Sequence, residues 1–213
     1  MLEQEFISIM PADYAWLCIV LASMLPLFEI HGAIPFGLSN AVWGENALPL
    51  WQVCIFSFLG ASLMAIIVLS VLFLFLKLVS KNKRFTKFYA KFKSLLDTKF
   101  FKYDVTKQNT KSLKLKKWWL LMLFNAVPLP FSGVWTSGLL AMFLNISFPL
   151  ALSALLVGNL ITTLFMALLC GVFFEFVDLV LIIFVIVTLL FVVYQLLKLL
   201  LNKFARNKPS SSL

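Results

Sequence analysis

From Trp118 to Phe174 the chain runs for 57 residues without a charged side chain. A straight helix needs only about 20 residues to cross the hydrocarbon core of a bilayer. Three crossings would use about 60 residues and leave none for the turns between them. The stretch is therefore too long for one crossing and too short for three, so part of it has to fold back.

The composition sets the class of protein. Hydrophobic residues make up 62% of the 213 residues and charged residues 13%, whereas soluble domains are roughly 45–50% apolar and about 25% charged. These values argue against a water-soluble enzyme, a disordered chain and a secreted disulfide scaffold. They predict an all-α, polytopic integral membrane protein.

The basic residues are confined to two blocks, which predicts the orientation. Fourteen of the 18 Lys and Arg lie between Lys77 and Lys117, and the other four follow from Lys198 onwards. Positive charges next to apolar segments stay on the cytoplasmic side. We therefore place segment 80–117 and the tail, 202–213, in the cytoplasm. A nucleic-acid partner is not expected, because both blocks adjoin membrane segments.

Segment 80–117 also carries aromatic and leucine side chains at near-helical spacing. Phe85, Phe88, Phe92 and Tyr103 alternate with lysines, a pattern typical of an amphipathic helix on a membrane surface. Anionic lipid headgroups of the inner leaflet are its expected partners. An ordinary solvated linker is the alternative.

The orientation fixes how the uncharged stretch folds. It starts inside and has to end outside, because one further span, 178–201, returns the tail to the cytoplasm. The motif Val127-Pro128-Leu129-Pro130-Phe131-Ser132-Gly133 marks a turn, because two prolines two residues apart cannot continue a helix. We predict a re-entrant hairpin at 118–146 and a full span at 147–173. One long proline-kinked helix is the alternative, and it would put the tail outside.

The N-terminal part, 1–79, repeats this layout. Residues 12–50 are apolar and are interrupted by Glu29-Ile30-His31-Gly32-Ala33-Ile34-Pro35-Phe36-Gly37, and a full span follows at 51–79. Segment 12–50 is either a dip from the outside or a crossing plus a shorter dip. A dip from outside would make 1–79 an inverted repeat of the hairpin and span at 118–173, with 178–201 as an extra helix of the second half, 118–201. Inverted repeats whose broken helices meet near the midplane recur in transporters.

Glu29 is the most informative residue of the first interruption. It is the one charged residue between Asp13 and Glu45, and an ionisable side chain at membrane depth is a functional-site hypothesis by default. We expect it to take up and release a proton, with His31, the only histidine, as a neighbouring relay. The alternative is that Glu29 caps a half-helix at the outer interface and that His31 is solvated.

The two interruptions together form the predicted site. Gly32, Pro35 and Gly37 are expected to form the first turn, and the prolines, Ser132 and Gly133 the second. Half-helix N-termini that face each other there would attract anions. The predicted substrate- and proton-binding residues are Glu29, His31, Gly32, Pro35, Gly37, Pro128, Pro130, Ser132, Gly133, Trp135 and Thr136. Packing without ligand contact is the alternative for the turn residues.

Other polar residues of the apolar segments have plainer interpretations. Asn125, Asn159, Thr162 and Thr163 are expected mainly to form hydrogen bonds between helices, because polar groups in lipid need partners. The three cysteines lie in apolar stretches without metal-ligand spacing. No catalytic, phosphate-binding or metal motif occurs, so the sequence predicts no enzyme activity and no cofactor.

The two interruptions resemble the signatures of a known family. Residues Glu29 to Gly37 are similar to E-x-R-G-A-I-P-x-G, and residues 127–137 to I-P-L-P-G-T-G-A-W-T-G, of the putative small multidrug export proteins. His31 stands where that family usually has Arg, and Phe131 where a Gly is usual. The family is similar in layout to the DedA-type membrane proteins, so the resemblance implies two opposed re-entrant hairpins.

Together the residues and the resemblance predict a function. We expect a multi-pass protein of the bacterial inner membrane that transports or flips a small amphiphile or lipid carrier, with proton coupling through Glu29. The alternative is a non-transporting membrane factor for lipid homeostasis or for the stability of a partner complex. Substrate identity and oligomeric state stay open, and a homo-oligomer is compatible with the sequence.

Overall fold

The computed structural model describes residues 12–79, 110–127 and 132–206, with residues 90 and 94. These residues form helices and no strand. Seven helices of ten residues or more follow one another in this part: α1 (Ala15–Met24), α2 (Glu29–Leu38), α3 (Leu50–Val79), α4 (Thr110–Ala126), α5 (Val134–Phe143), α6 (Phe148–Val172) and α7 (Val177–Arg206). Short helical turns lie at Ala12–Tyr14, Asn40–Trp43, Gly44–Asn46 and Phe174–Phe176.

Three of these helices are long and apolar enough to cross a membrane. The candidate spans are Leu50–Leu78, Phe148–Val172 and Phe174–Lys198. At 1.5 Å per residue, 25 residues extend about 38 Å, more than the roughly 30 Å hydrocarbon core. Most of their side chains face outwards, as expected for a lipid-facing surface. The predicted all-α, polytopic membrane fold with three long apolar helices is confirmed.

The first helical pair, α1 and α2, breaks earlier than the sequence predicts. The break lies at residues 25–28, where Leu25 adopts an extended conformation before Pro26, as is usual for a residue that precedes proline. Gly32, Pro35 and Gly37 were expected to form the turn, but all three lie inside α2. The prediction of a turn at these residues is wrong.

The two glycines of α2 serve close packing instead. A Cβ atom at Gly32 would lie 2.7 Å from the Phe28 ring and 2.8 Å from the Phe184 ring, and one at Gly37 would lie 2.8 Å from Ile19. The helix therefore approaches its neighbours more closely than a larger residue would allow. Pro35 sits within the helix and withdraws one backbone donor from it.

The second pair, α4 and α5, separates where the sequence predicts. Helix α5 begins at Val134, as expected, but α4 begins at Thr110 rather than at residue 118. It thus extends back into the segment that was assigned to the basic block. Residues Pro128 and Pro130, the amphipathic pattern at 85–103 and the tail beyond residue 206 lie outside the described residues.

One end of the molecule holds the start of α1 and the end of α2. The Trp16 and Phe56 rings are 6.1 Å apart at the start of α3, and the Ser39 hydroxyl after α2 donates to the Asp178 carboxylate at the start of α7. Segment 12–50 therefore enters and leaves at the same end. We call it the acidic end, because Asp13, Glu45, Glu175 and Asp178 belong to the segments that meet there.

The opposite end holds the start of α4 and the end of α5. The Lys117 ammonium donates to the Leu144 carbonyl at 2.7 Å, and the Trp118 indole donates to the Ser153 hydroxyl at 2.9 Å. The Phe73 and Phe148 rings are 5.7 Å apart beside them. The two helical pairs therefore enter from opposite ends. We call this the basic end, after the lysines of α4.

Helices α3 and α6 pack against each other and against both pairs. Towards the acidic end they enclose a core with α1 and α2, around Ile19, Ile34 and Val53. Towards the basic end they enclose a second core with α4 and α5, around Leu69, Leu121 and Leu155. The breaks in the two pairs meet between these cores.

Candidate functional site

Glu29 links the two helical pairs at this meeting point. Its carboxylate accepts hydrogen bonds from the backbone N–H groups of Val134 and Trp135, the first two residues of α5. The side chain is only 7% exposed. Gly133, the residue just before α5, has no side chain that could cap the helix. The carboxylate of the first half therefore satisfies N-terminal donors of the second half and interacts favourably with the helix dipole.

The backbone at Glu29 is unusual in a way that fits this role. Its φ is 46°, in the left-handed region that non-glycine residues seldom adopt. Such conformations cost free energy and persist where the surroundings hold them in place. The left-handed residue starts α2, and its side chain reaches into the other half of the protein.

Gly133 leaves room for the Glu29 carboxylate because it has no side chain. A Cβ atom at this position would overlap the Glu29 carboxyl group. Around it, the Ser137 hydroxyl donates to the Ser132 carbonyl at 3.1 Å, and the Thr136 hydroxyl donates to the Gly133 carbonyl at 3.2 Å. The Ser132 hydroxyl donates to the Val127 carbonyl, so all three hydroxyl groups bond to nearby backbone carbonyls.

The carboxylate lies in a narrow crevice between the two pairs, α3 and α6. Its walls leave no room for a water molecule. The crevice is lined by Glu29, Ile30, His31, Ala61, Asn125, Gly133, Val134, Asn159 and Thr162. In this conformation the site is closed.

Three buried polar atoms of this lining have no hydrogen-bond partner among the described residues. They are His31 Nε2, Asn125 Oδ1 and Asn159 Nδ2. The side chains are 7%, 1% and 3% exposed, respectively. Unpartnered buried polar groups are rare and each calls for an explanation. These atoms could therefore donate or accept further hydrogen bonds in the crevice next to Glu29.

The two asparagines also hold helices together. The Asn125 amide donates to the Leu155 carbonyl at 3.1 Å and to Asn159 Oδ1 at 2.9 Å. Gly158 makes this approach possible, because a Cβ atom there would lie 2.6 Å from Asn125 Nδ2. The predicted hydrogen bonding between helices is confirmed for this pair. Thr163, in contrast, donates to the carbonyl of Asn159 in its own helix.

The structure brings only part of the predicted site together. Glu29, His31 and Gly133 line the crevice, while Ser132, Trp135 and Thr136 lie beside it in the turn and first turn of α5. The Trp135 indole donates to the Met24 carbonyl at 3.3 Å, towards the end of α1. Gly32, Pro35 and Gly37 support the packing of α2 instead. Pro128 and Pro130 are not described.

The predicted site missed Asn125, Asn159 and Thr162. Thr162 donates to the Ala126 carbonyl at the broken end of α4, at 3.3 Å. In the sequence, Asn125, Asn159 and Thr162 stand out only as polar residues within an uncharged stretch. Among the residues that the structure describes, no three His, Cys, Asp or Glu side chains lie close enough to hold a metal ion.

A comparison with known families finds one family whose sequence model covers both halves of this site. The family described as "Putative small multi-drug export protein" matches residues 29–165, which begin at Glu29 and contain the Gly133 turn. The chain belongs to this small multi-drug export family. Its name indicates a general transporter-like role, and the resemblance seen in the sequence is confirmed. Neither the curated proteins nor the solved structures gave a match.

Proposed function

We propose that this family member transports or flips a small amphiphile or lipid carrier across the bacterial inner membrane and that Glu29 takes up and releases a proton in each cycle. The observation that supports the proposal most is the Glu29 carboxylate, which joins two broken helical pairs inside a closed crevice. Broken helices whose ends meet between repeats are where transporters place substrate and coupling-ion sites.

A change in the protonation of Glu29 would alter the contact between the halves. As a carboxylate, Glu29 accepts hydrogen bonds from two backbone N–H groups of α5. Charge-assisted hydrogen bonds of this kind are stronger than neutral ones. A proton on the carboxyl group weakens both bonds, so the two pairs can separate and the crevice can open. His31 is the other titratable side chain that lines the crevice, and it is the proposed relay.

The remaining features of the proposal follow from the charge pattern. Segment 80–117 and the tail face the cytoplasm, where the basic residues contact anionic lipid headgroups. The proposal includes no chemical conversion and no cofactor, because the sequence contains no catalytic, phosphate-binding or metal motif. The charge pattern supports the orientation through the positive-inside rule alone.

Reconstitution of the full-length chain in liposomes with an imposed pH gradient tests this function. We expect flux of at least one of two probes, the amphiphilic cation ethidium or a fluorescent phospholipid whose flipping is followed by dithionite quenching. Glu29→Gln should slow this flux at least tenfold, because the glutamine cannot bind and release a proton. Glu45→Gln, at an exposed residue of the acidic end, is the matched control.

Two outcomes would contradict the proposal. An unchanged rate in Glu29→Gln removes Glu29 from the mechanism. If the wild-type protein moves neither probe nor protons, the alternative of a non-transporting membrane factor is favoured.

A further inference from the structure

We propose that the N-terminus of α5 is a binding site for an oxyanion, and that the Glu29 carboxylate occupies it in place of the ligand while the crevice is closed. This inference rests on the proposed function and names the substrate class of the same site. The ligand is the phosphate or carboxylate headgroup of an amphiphile, or a free oxyanion of the same chemistry.

The first observation is the chemistry of the group now held there. Glu29 presents a carboxylate to the N–H groups of Val134 and Trp135, which have no side-chain cap from Gly133. An N-terminal pair of backbone donors binds phosphate and carboxylate oxygens in the same way. A ligand oxyanion and Glu29 therefore compete for the same two donors.

The second observation is independent of the helix end. His31 and Asn159 line the crevice, are each more than nine-tenths buried, and have an unpartnered nitrogen, Nε2 and Nδ2 respectively. The amide nitrogen of Asn159 can only donate, and the imidazole nitrogen donates when it carries a proton. With the two backbone groups that bond to Glu29, up to four N–H donors lie in or beside this crevice, and such a set is suited to an oxyanion.

The third observation concerns the acceptor in the same wall. Asn125 Oδ1 is also buried and unpartnered. It can accept a hydrogen bond from a protonated oxygen of a phosphate group. Because the closed crevice has no space for a water molecule, the ligand can enter only when the Glu29 side chain withdraws.

A binding measurement without any gradient tests the inference separately from transport. Full-length wild-type, Glu29→Gln and Glu45→Gln proteins are titrated calorimetrically in dodecyl maltoside with dodecyl phosphate, inorganic phosphate and dodecyltrimethylammonium. We expect Glu29→Gln to bind dodecyl phosphate at least tenfold more tightly than the wild type, because the competing negative charge is gone. Glu45→Gln should match the wild type, and the cation should show no gain.

A second substitution tests the backbone donors themselves. Val134→Pro removes one N–H at the first residue of α5, a helix position at which proline is well tolerated. In the Glu29→Gln background we expect it to reverse most of the gain. Size-exclusion chromatography and thermal unfolding establish that each variant is folded, and Val134→Ala, which keeps the N–H, is the control for the lost side chain.

The probes distinguish the source of the ligand. A gain for both phosphates assigns the site to the headgroup alone, and a gain for dodecyl phosphate only assigns it to a lipid; either result supports the inference. An equal affinity in wild type and Glu29→Gln, or an equal gain for the cationic probe, overturns it. Loss of transport in Glu29→Gln without a gain in binding would leave the proposed function standing and refute the oxyanion site.

Discussion

Glu29 and Gly133 form a contact between residues that are far apart in the chain. The carboxylate of the first helical pair fills the space that a side chain at position 133 would take, and it bonds to the N–H groups just beyond it. The contact combines a close approach with a helix cap. A single added methyl group at position 133 is therefore enough to test its importance.

We expect Gly133→Ala to lower the free energy of unfolding by about 2 kcal/mol, because the new methyl group forces the carboxylate out of place and removes the cap. Transport should fall with it. The measurement is unfolding by SDS titration in mixed micelles. Gly171→Ala is the control, since its Cβ atom would meet only Leu50 at 3.5 Å, an ordinary contact. Equal stabilities of the two variants would contradict the role of Gly133.

At the scale of elements, the last helix is attached to the first pair. Asp178 near the start of α7 accepts hydrogen bonds from the Ser39 hydroxyl and from the Ala41 N–H, the latter at 3.5 Å. The Phe184 ring of α7 lies edge-on to Phe28 at 5.8 Å. Most of the remaining surface of α7 is exposed. Helix α7 therefore stabilises the end of α2 and the turn that follows it.

Asp178→Ala should loosen the segment after α2. The loss of a charge-assisted bond at a half-buried site costs about 1.5 kcal/mol, so amide hydrogen exchange at Ala41 and Val42 should accelerate about tenfold. Hydrogen-exchange mass spectrometry of the peptide around Asn40–Trp43 provides the measurement. Glu175→Ala removes an exposed carboxylate nearby and should leave this exchange unchanged. The same acceleration in both variants would argue against the specific bond.

At the scale of the whole molecule, the charges are separated along its length. Apart from Glu29, the acidic residues of the described ranges belong to segments that meet at one end, and the lysines of α4 lie at the other. From this separation the positive-inside rule predicts one orientation for the entire protein. In this predicted orientation α1 and α2 enter from outside, and α4 and α5 enter from the cytoplasm.

Labelling of single cysteines tests this orientation directly. In a background without Cys18, Cys54 and Cys170, we expect Glu45→Cys to react with a membrane-impermeant maleimide in intact cells, and Ser211→Cys to react only after the membrane is permeabilised. Both variants are compared at equal expression. Labelling of Ser211→Cys in intact cells would reverse the orientation and with it the direction of both hairpins.

The large-scale layout could be predicted because it follows from length and charge. The uncharged stretch and the two basic blocks required a fold-back at 118–146, and the structure has α4 and α5 there. The first break was misplaced because Gly32, Pro35 and Gly37 favour a turn as isolated residues, whereas their small size serves packing in α2. Pro26, which precedes the helix, marks the actual break.

The site could be predicted only in part, for a related reason. Glu29 was conspicuous because it is the one charge in an apolar segment. Its partners are backbone N–H groups, which every residue carries and which leave no mark in a sequence. Asn125 and Asn159 were assigned to helix contacts, which they do make, and only the geometry shows that their unused atoms share a crevice with Glu29.

The link between Glu29 and α5 also has a consequence for biosynthesis. A ribosome completes the first hairpin long before it reaches Val134 and Trp135, so the Glu29 carboxyl group enters the membrane without its partners. Until the second hairpin is made, water or the insertion machinery has to solvate that group. From this order of synthesis we expect the first half to need a solvation of Glu29 that the second half supplies in the finished protein.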